Sequence, residues 1–162
     1  MKTKVLREIE RKFIVKPDLI GELKTGYKIE QGYIVNTPEK QVRVRIIGDR
    51  AELTIKGKRE SAARLETNMD LDVVRARFLL NNFCEGSLII KTRYMIPYKG
   101  YTWYVDVFNG DNLGLILAEV ELRNEDEYFT KPSWIGKEVT NDERYYNHNL
   151  SSNPYKNWRD KV

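Results

Sequence analysis

Charged residues recur at every second position along much of this chain, and they recur as pairs of one sign. The stretch REIERKFIV (7–15) puts Glu8, Glu10 and Lys12 on one side of an extended chain and Ile9, Phe13 and Val15 on the other. QVRVRIIG sets Arg43 and Arg45 against Val42, Val44 and Ile46, and AELTIKG sets Glu52, Thr54 and Lys56 against Ala51, Leu53 and Ile55. LIIKTRYMI carries Lys91 and Arg93, YTWYVDVF carries Asp106, and LAEVELR carries Glu119 and Glu121, each opposite an apolar set. A period of two predicts strands, since helical faces repeat every 3.6 residues. Strands are expected at 4–15, 28–35, 41–48, 51–57, 64–71, 86–96, 101–108 and 115–123, separated by turn sequences such as NTPEK, GDR and YKG. One helix is expected over 72–83, another after Asn124 and a short third within 141–150. The predicted class is mainly β (α+β): an eight-stranded antiparallel closed barrel with a few flanking helices, with a two-sheet sandwich as the alternative.

The signs of the charges say which way the faces turn. An antiparallel sheet usually keeps one wet face, and a wet face intersperses signs. Like charges side by side repel unless opposite charge stands between or across from them. Turned inward, the strands line a lumen with Glu8, Glu10, Glu66, Asp106, Glu119 and Glu121, and with Lys12, Arg43, Arg45, Lys56, Arg64, Lys91 and Arg93. The apolar faces then point outward, to be covered by helices or a partner subunit. Arg and Lys suit phosphate oxygens, and clustered carboxylates suit a hard divalent cation. The residues alone thus point to a metal-dependent polyphosphate or nucleotide-phosphate site.

Composition narrows the chemistry. With 162 residues, 41% hydrophobic and 32% charged, the chain suits one domain over 1–162 with a real core. A single cysteine, Cys84, allows no internal disulfide, and with the single histidine, His148, it cannot build a Cys/His zinc site. The surroundings of His148, YYNHNLSSN, show no Ser/His/Asp arrangement, so His148 is expected to be solvated or capping. A metal would be held by carboxylates, which selects Mg2+ or Mn2+. No apolar run is long enough to span a bilayer, and MKTKVLREIERK has no apolar signal core. The expectation is a cytoplasmic protein without a membrane partner. The net charge of +4 favours an anionic partner without choosing one.

EIERK (Glu8 to Lys12) resembles the E-x-E-x-K signature of the CYTH, or triphosphate tunnel metalloenzyme, superfamily. RVR, LTIKG, RLE, KTR, VDVF, AEVEL and GKEVTNDERYYN follow in the family's order over nearly the whole chain. The compact length, IEQGYI (29–34) and the EVTNDERYYN tail look most like the short bacterial tripolyphosphatases. The resemblance implies a tunnel, often in homodimers, that hydrolyses or rearranges triphosphates with Mg2+ or Mn2+. It implies metal ligation by Glu8, Glu10, Glu119 and Glu121, with Asp106 beside them. Glu8, Glu66 and Lys12 would serve catalysis. Lys12, Arg43, Arg45, Lys56, Arg64, Lys91 and Arg93 would bind the triphosphate, with Arg144 from the tail and Tyr33 against Lys12. One position departs from the family pattern: Asn68 stands where a second acid usually follows Glu66.

The expected reaction is hydrolysis of tripolyphosphate, or another triphosphate, to a diphosphate and orthophosphate. An adenylate cyclase of class IV type is the first alternative, with Tyr98, Tyr101, Trp103 and Tyr104 as candidate base-stacking residues. A non-catalytic polyphosphate or nucleotide binder is the second. Thiamine triphosphate and RNA 5′-triphosphate stay open as substrates.

Overall fold

The computed structural model describes residues 9–60 and 63–162, with Arg59, Glu60, Ala63 and Arg64 described by their backbone alone. The eight foreseen strands are present over the described residues, the expected start of the first at 4–8 lying outside them: β1 (Ile9–Val15), β2 (Tyr27–Asn36), β3 (Gln41–Ile47), β4 (Arg50–Glu60), β5 (Ala63–Leu71), β6 (Glu85–Tyr98), β7 (Tyr101–Asn109) and β8 (Ile116–Leu122). A ninth, β9 (Ile135–Glu138), was too short to show alternation. The sheet order is β5-β4-β3-β2-β6-β7-β8-β1-β9, with antiparallel neighbours throughout.

The sheet curls but does not close: β5 and β9 are its edges, and among the described residues no ladder joins them. Closure needs full-length pairing of the last strands. Here β9 offers only four residues, and β3 pairs β4 only as far as Lys56, so the β4–β5 ribbon runs on past it. The curl itself is strong. Tyr33 of β2 and Lys12 of β1 are four ladders apart, roughly 19 Å in a flat sheet. Lys12 nevertheless acts electrostatically on the Tyr33 hydroxyl. The charged face is also deeply buried, with Lys12, Lys91, Asp106 and Glu119 all largely shielded from solvent. The charges therefore line a trough, as the paired signs required.

Three apolar clusters hold this shape. On the outer face of β1, β7 and β8, Phe13, Trp103, Val105, Ala118 and Val120 pack under Phe129 and Trp134. The segment after Asn124 that supplies those two rings forms turns rather than the expected helix, because it spends its apolar residues covering the sheet from one side. On the outer face of β3 and β4, Val44, Ile46 and Ala51 pack under Ala76 and Leu80 of α2 (Val73–Asn82). That helix falls where its periodicity placed it, capped by Asp72 accepting from the Arg75 amide. A one-turn helix, α1 (Pro17–Ile20), follows β1.

The third cluster lies inside the trough at one end. Ile14, Ile89, Phe108 and Leu117 are on the charged face by ladder register, and they meet Val139, Tyr145, Leu150 and Trp158. Val139 directly follows β9, and the other tail residues come from the 143–145 turn, α3 (Asn147–Ser152) and the segment after it. Gly86, at φ +69°, permits this: a Cβ there would stand 2.5 Å from the Ser151 carbonyl oxygen. The C-terminal segment therefore plugs one end and leaves the charged remainder open.

Candidate active site

Ladder register assembles the trough. Glu10 faces Glu121 and Lys12 faces Glu119 across β1–β8, Tyr104 faces Glu119 across β7–β8, and Arg93 faces Asp106 across β6–β7. Arg43 and Arg45 of β3 face Thr54 and Glu52, and Lys56 faces Glu66. The basic strands β6 and β3 lie beside acidic or polar partners, Arg93 against Asp106 and Arg43 and Arg45 against Thr54 and Glu52, whereas β8 and β1 bring Glu121 and Glu10 face to face, with Lys12 beside them against Glu119.

One half of the trough is a continuous ion network. Lys12 Nζ lies 2.6 Å from Glu119 and 3.9 Å from Glu10. Arg93 donates to Asp106 at 2.7 Å and to Glu119 at 3.0 Å, and Lys91 donates to Asp106 at 2.6 Å. Asp106 is 1% exposed, and Lys91 and Arg93 hold its carboxyl down at about 2 against the opposing effect of burial. Burial works the other way on Lys91, pushing it down to about 8 despite the pull of Asp106. Glu119 resists burial too: Lys12, then Lys91, keep it below the usual carboxylate range. The Lys12 ammonium sits over the Tyr146 ring and the Arg93 guanidinium over the Tyr104 ring.

The other half is looser and more positive. Arg43 reaches Thr54 at 3.1 Å and Glu52 at 3.5 Å, and Arg45 reaches Glu52 only at 3.7 Å. Burial and then the neighbouring Arg43 pull Arg45 down to about 10. The Arg43 Nε is buried and without a partner. A buried guanidinium N–H left unmatched is costly unless an anion completes it. Lys56 pairs with Glu66 at 2.9 Å, and Asn68 accepts from the Thr54 hydroxyl at 2.6 Å while donating to Glu66 at 3.4 Å.

The structure brings together Glu10, Lys12, Tyr33, Arg43, Arg45, Lys56, Glu66, Lys91, Arg93, Asp106, Glu119 and Glu121 on one face. Glu8 and the side chain of Arg64 lie outside the described residues. Arg144 is not drawn into the network: it pairs with Asp142 at 2.6 Å and stacks on Trp158, on the plug. Asp106 has both oxygens occupied by Lys91 and Arg93. Tyr33 takes a hydrogen bond from Gln31 rather than from Lys12. The His148 ring lies beside Tyr146.

For a divalent cation, Glu10, Glu119 and Glu121 offer hard oxygen donors on adjoining ladder positions, and Lys12 Nζ already marks a point within 4 Å of both Glu10 and Glu119. Those donors fit Mg2+ or Mn2+ in kind. Among the described residues, no three His, Cys, Asp or Glu side chains converge as they stand, since cations hold Glu119 and Asp106. A hollow of about 280 Å³ lined by Thr102, Tyr104, Glu121 and Arg123 opens at the end that carries Glu121. Of the rings considered for base stacking, Trp103 is buried in the outer core, Tyr98 and Tyr101 pack on that core, and Tyr104 is taken by Arg93.

Sequence reasoning gave Gln31 and Tyr146 no role of their own, although both fall within motifs quoted for the resemblance. Gln31 sits in β2 between residues that do not alternate by charge, and Tyr146 lies outside any strand. Only ladder register and the curl place them beside the cations.

The comparisons agree with this geometry. The model of the CYTH domain family matches residues 6–152. An inorganic triphosphatase of Acetivibrio thermocellus is 46% identical, over 95% of this chain and 99% of its own length. An inorganic triphosphatase of Nitrosomonas europaea is 36% identical, over 90% and 97%. A crystal structure of an inorganic triphosphatase superposes with a TM-score of 0.72 at 35% identity, covering 93% of this chain and 97% of that one. A structure from Bacillus halodurans, 20% identical over 77% of this chain and 84% of its own with a TM-score of 0.56, shares the fold.

Proposed function

The chain belongs to the CYTH domain family, and on that premise we propose that it hydrolyses inorganic triphosphate to diphosphate and orthophosphate in the charged trough, with a divalent cation, Mg2+ or Mn2+. The observation that carries this is the buried, partnerless Nε of Arg43, set among Arg45, Thr54 and Glu52 and facing the self-paired network of Lys12, Lys91 and Arg93. Such a site has donors in excess and needs a compact, multiply charged acceptor.

Arg43, Arg45, Lys56, Lys91, Arg93 and Lys12 hold the phosphate chain by charge-assisted hydrogen bonds. Glu10, Glu119 and Glu121, with Glu8, would hold the cation. When bound, the cation supplies charge neutralisation at the phosphoryl group in transfer. Asp106 is assigned to fixing Lys91 and Arg93 instead, because both its oxygens already accept from them. Positioning and charge account for most of phosphoryl transfer, so no side-chain nucleophile is required. Glu66, or Glu8, orients the attacking water. Lys12, held by Glu119 in the structure, would donate to a phosphoryl oxygen of the bound chain. A homodimer, and action on other triphosphates including an RNA 5′ end, are extensions of this proposal.

The test is phosphate release from tripolyphosphate, ATP and thiamine triphosphate with Mg2+, Mn2+ or EDTA, with cyclic AMP followed from ATP. Release from tripolyphosphate that EDTA abolishes is the expected result. Cyclic AMP from ATP, or binding of tripolyphosphate without turnover, would replace the hydrolase reading with the cyclase or the binder.

A further inference from the structure

Gln31 has no exposed surface, lies mid-strand in β2 and belongs to none of the three apolar clusters. Its amide sits between Arg45, directly opposite in the β2–β3 ladder, and Tyr33, two residues along on the same face. Arg45 Nε donates to Gln31 Oε1 at 2.8 Å, and Gln31 Nε2 donates to the Tyr33 hydroxyl at 3.2 Å.

The order of these bonds is forced. A guanidinium has donors only, so the Gln31 atom that meets Arg45 must be the carbonyl oxygen. The amide nitrogen then faces Tyr33, and the Tyr33 oxygen can only accept there. A hydroxyl that accepts from Gln31 keeps its own proton for another direction. Among the described residues no acceptor takes that proton. The charged groups acting on the hydroxyl are Arg43, Arg45 and Lys12, donors all. A proton aimed among cations asks for an anionic oxygen.

We propose that Gln31 is a positioning residue: locked by Arg45, it makes Tyr33 an O–H donor to a phosphoryl oxygen. The proposal rests on the triphosphate reading of the trough. It also explains why an amide and not a carboxylate stands at position 31. A carboxylate would accept from Arg45 and Tyr33 alike, turning the proton away from the ligand.

A double-substitution cycle tests this. Tripolyphosphate affinity is measured by calorimetry for the unaltered protein, Gln31→Glu, Tyr33→Phe and the pair. Gln31→Glu is expected to weaken binding tenfold or more with Tyr33 present, and at least fivefold less strongly in the Tyr33→Phe background, where no hydroxyl remains to be turned. Equal losses in both backgrounds would mean a simple charge effect and overturn the proposal. If Gln31→Glu does not fold, Gln31→Met gives the same comparison. A second readout needs no ligand: the Gln31 side-chain amide signal in a ¹⁵N spectrum, identified by its loss in Gln31→Glu, must move in Tyr33→Phe. An unmoved signal overturns the relay while leaving the triphosphate reading intact. Absence of tripolyphosphate binding by the unaltered protein, with the amide signal moving as expected, would overturn the ligand assignment for both.

Discussion

The two halves of the trough are built from the same residue types and behave differently. Around β1, β6, β7 and β8, Lys12, Lys91, Asp106 and Glu119 are almost wholly buried, and the pairs are tight at 2.6–3.0 Å: Lys12 to Glu119, Lys91 to Asp106, Arg93 to both acids. Around β3, β4 and β5, side chains of Arg43, Arg45 and Glu52 are 14–30% exposed, their ion pairs stretch to 3.5–3.7 Å, and Arg43 Nε has no partner. The first half is completed by the protein's own acids. The second keeps positive charge in hand for a ligand. The contrast separates residues that set the trough's stability from residues that set its affinity.

The largest effect should come from breaking the matched half. Asp106→Ala leaves Lys91 and Arg93 facing each other in a buried space, and removing one partner of a buried pair costs about 3–5 kcal/mol. Glu66→Ala breaks the partly exposed Lys56 pair and the long hydrogen bond from Asn68, and should cost about 0–1 kcal/mol. Urea unfolding of both variants reads the difference, and equal losses would erase the distinction between the halves.

Next in size is the effect on ligand binding. Arg43→Ala removes a charged donor from the loose half, worth about 1.5–3 kcal/mol to an anionic acceptor, hence a loss of about tenfold or more in tripolyphosphate affinity. Its unfolding midpoint should move little, because Arg43 gives up only an ordinary hydrogen bond to Thr54 and a stretched pair with Glu52. A variant that loses stability but keeps affinity would reverse the assignment.

Strong acid should undo the matched half. The folded-state value for Asp106, about 2, lies below its ordinary 3.8. Its stabilising contribution is therefore complete above pH 3.8 and is lost as pH falls through about 2, an amount of about 2 kcal/mol. Stability measured against pH should drop across that window, and Asp106→Asn should flatten the drop.

Much of this was legible in the chain. Period-two charge placed eight strands and said which faces turn inward, because an extended backbone leaves no other arrangement for Arg43 with Arg45 or Glu119 with Glu121. Closure was not legible: it depends on edges, and alternation within a strand says nothing about which strand is last. The loop from 124 to 134 misled because Phe129 and Trp134 serve tertiary cover rather than a helical face. Asp106 reads as one more carboxylate until register puts Lys91 and Arg93 on both of its oxygens. Gln31 carries no charge to mark it.

The smallest prediction probes the position that departs from the family pattern. Asn68→Asp is nearly isosteric. It keeps the oxygen that accepts from Thr54 at 2.6 Å and replaces the amide that donates to Glu66 at 3.4 Å with a second carboxylate oxygen. Two facing carboxylates repel, so Glu66 should give up part of the depression it owes to Lys56 and Asn68. Without metal this should cost about 0–1 kcal/mol of stability, as for other half-exposed charges. A divalent cation between the two acids would relieve the repulsion, so Mn2+ affinity followed by electron paramagnetic resonance should rise a few-fold in the variant. An unchanged Mn2+ affinity would sharpen the contrast instead: β3, β4 and β5 would then serve the anion alone, and the cation would belong wholly to the half built by Glu10, Glu119 and Glu121.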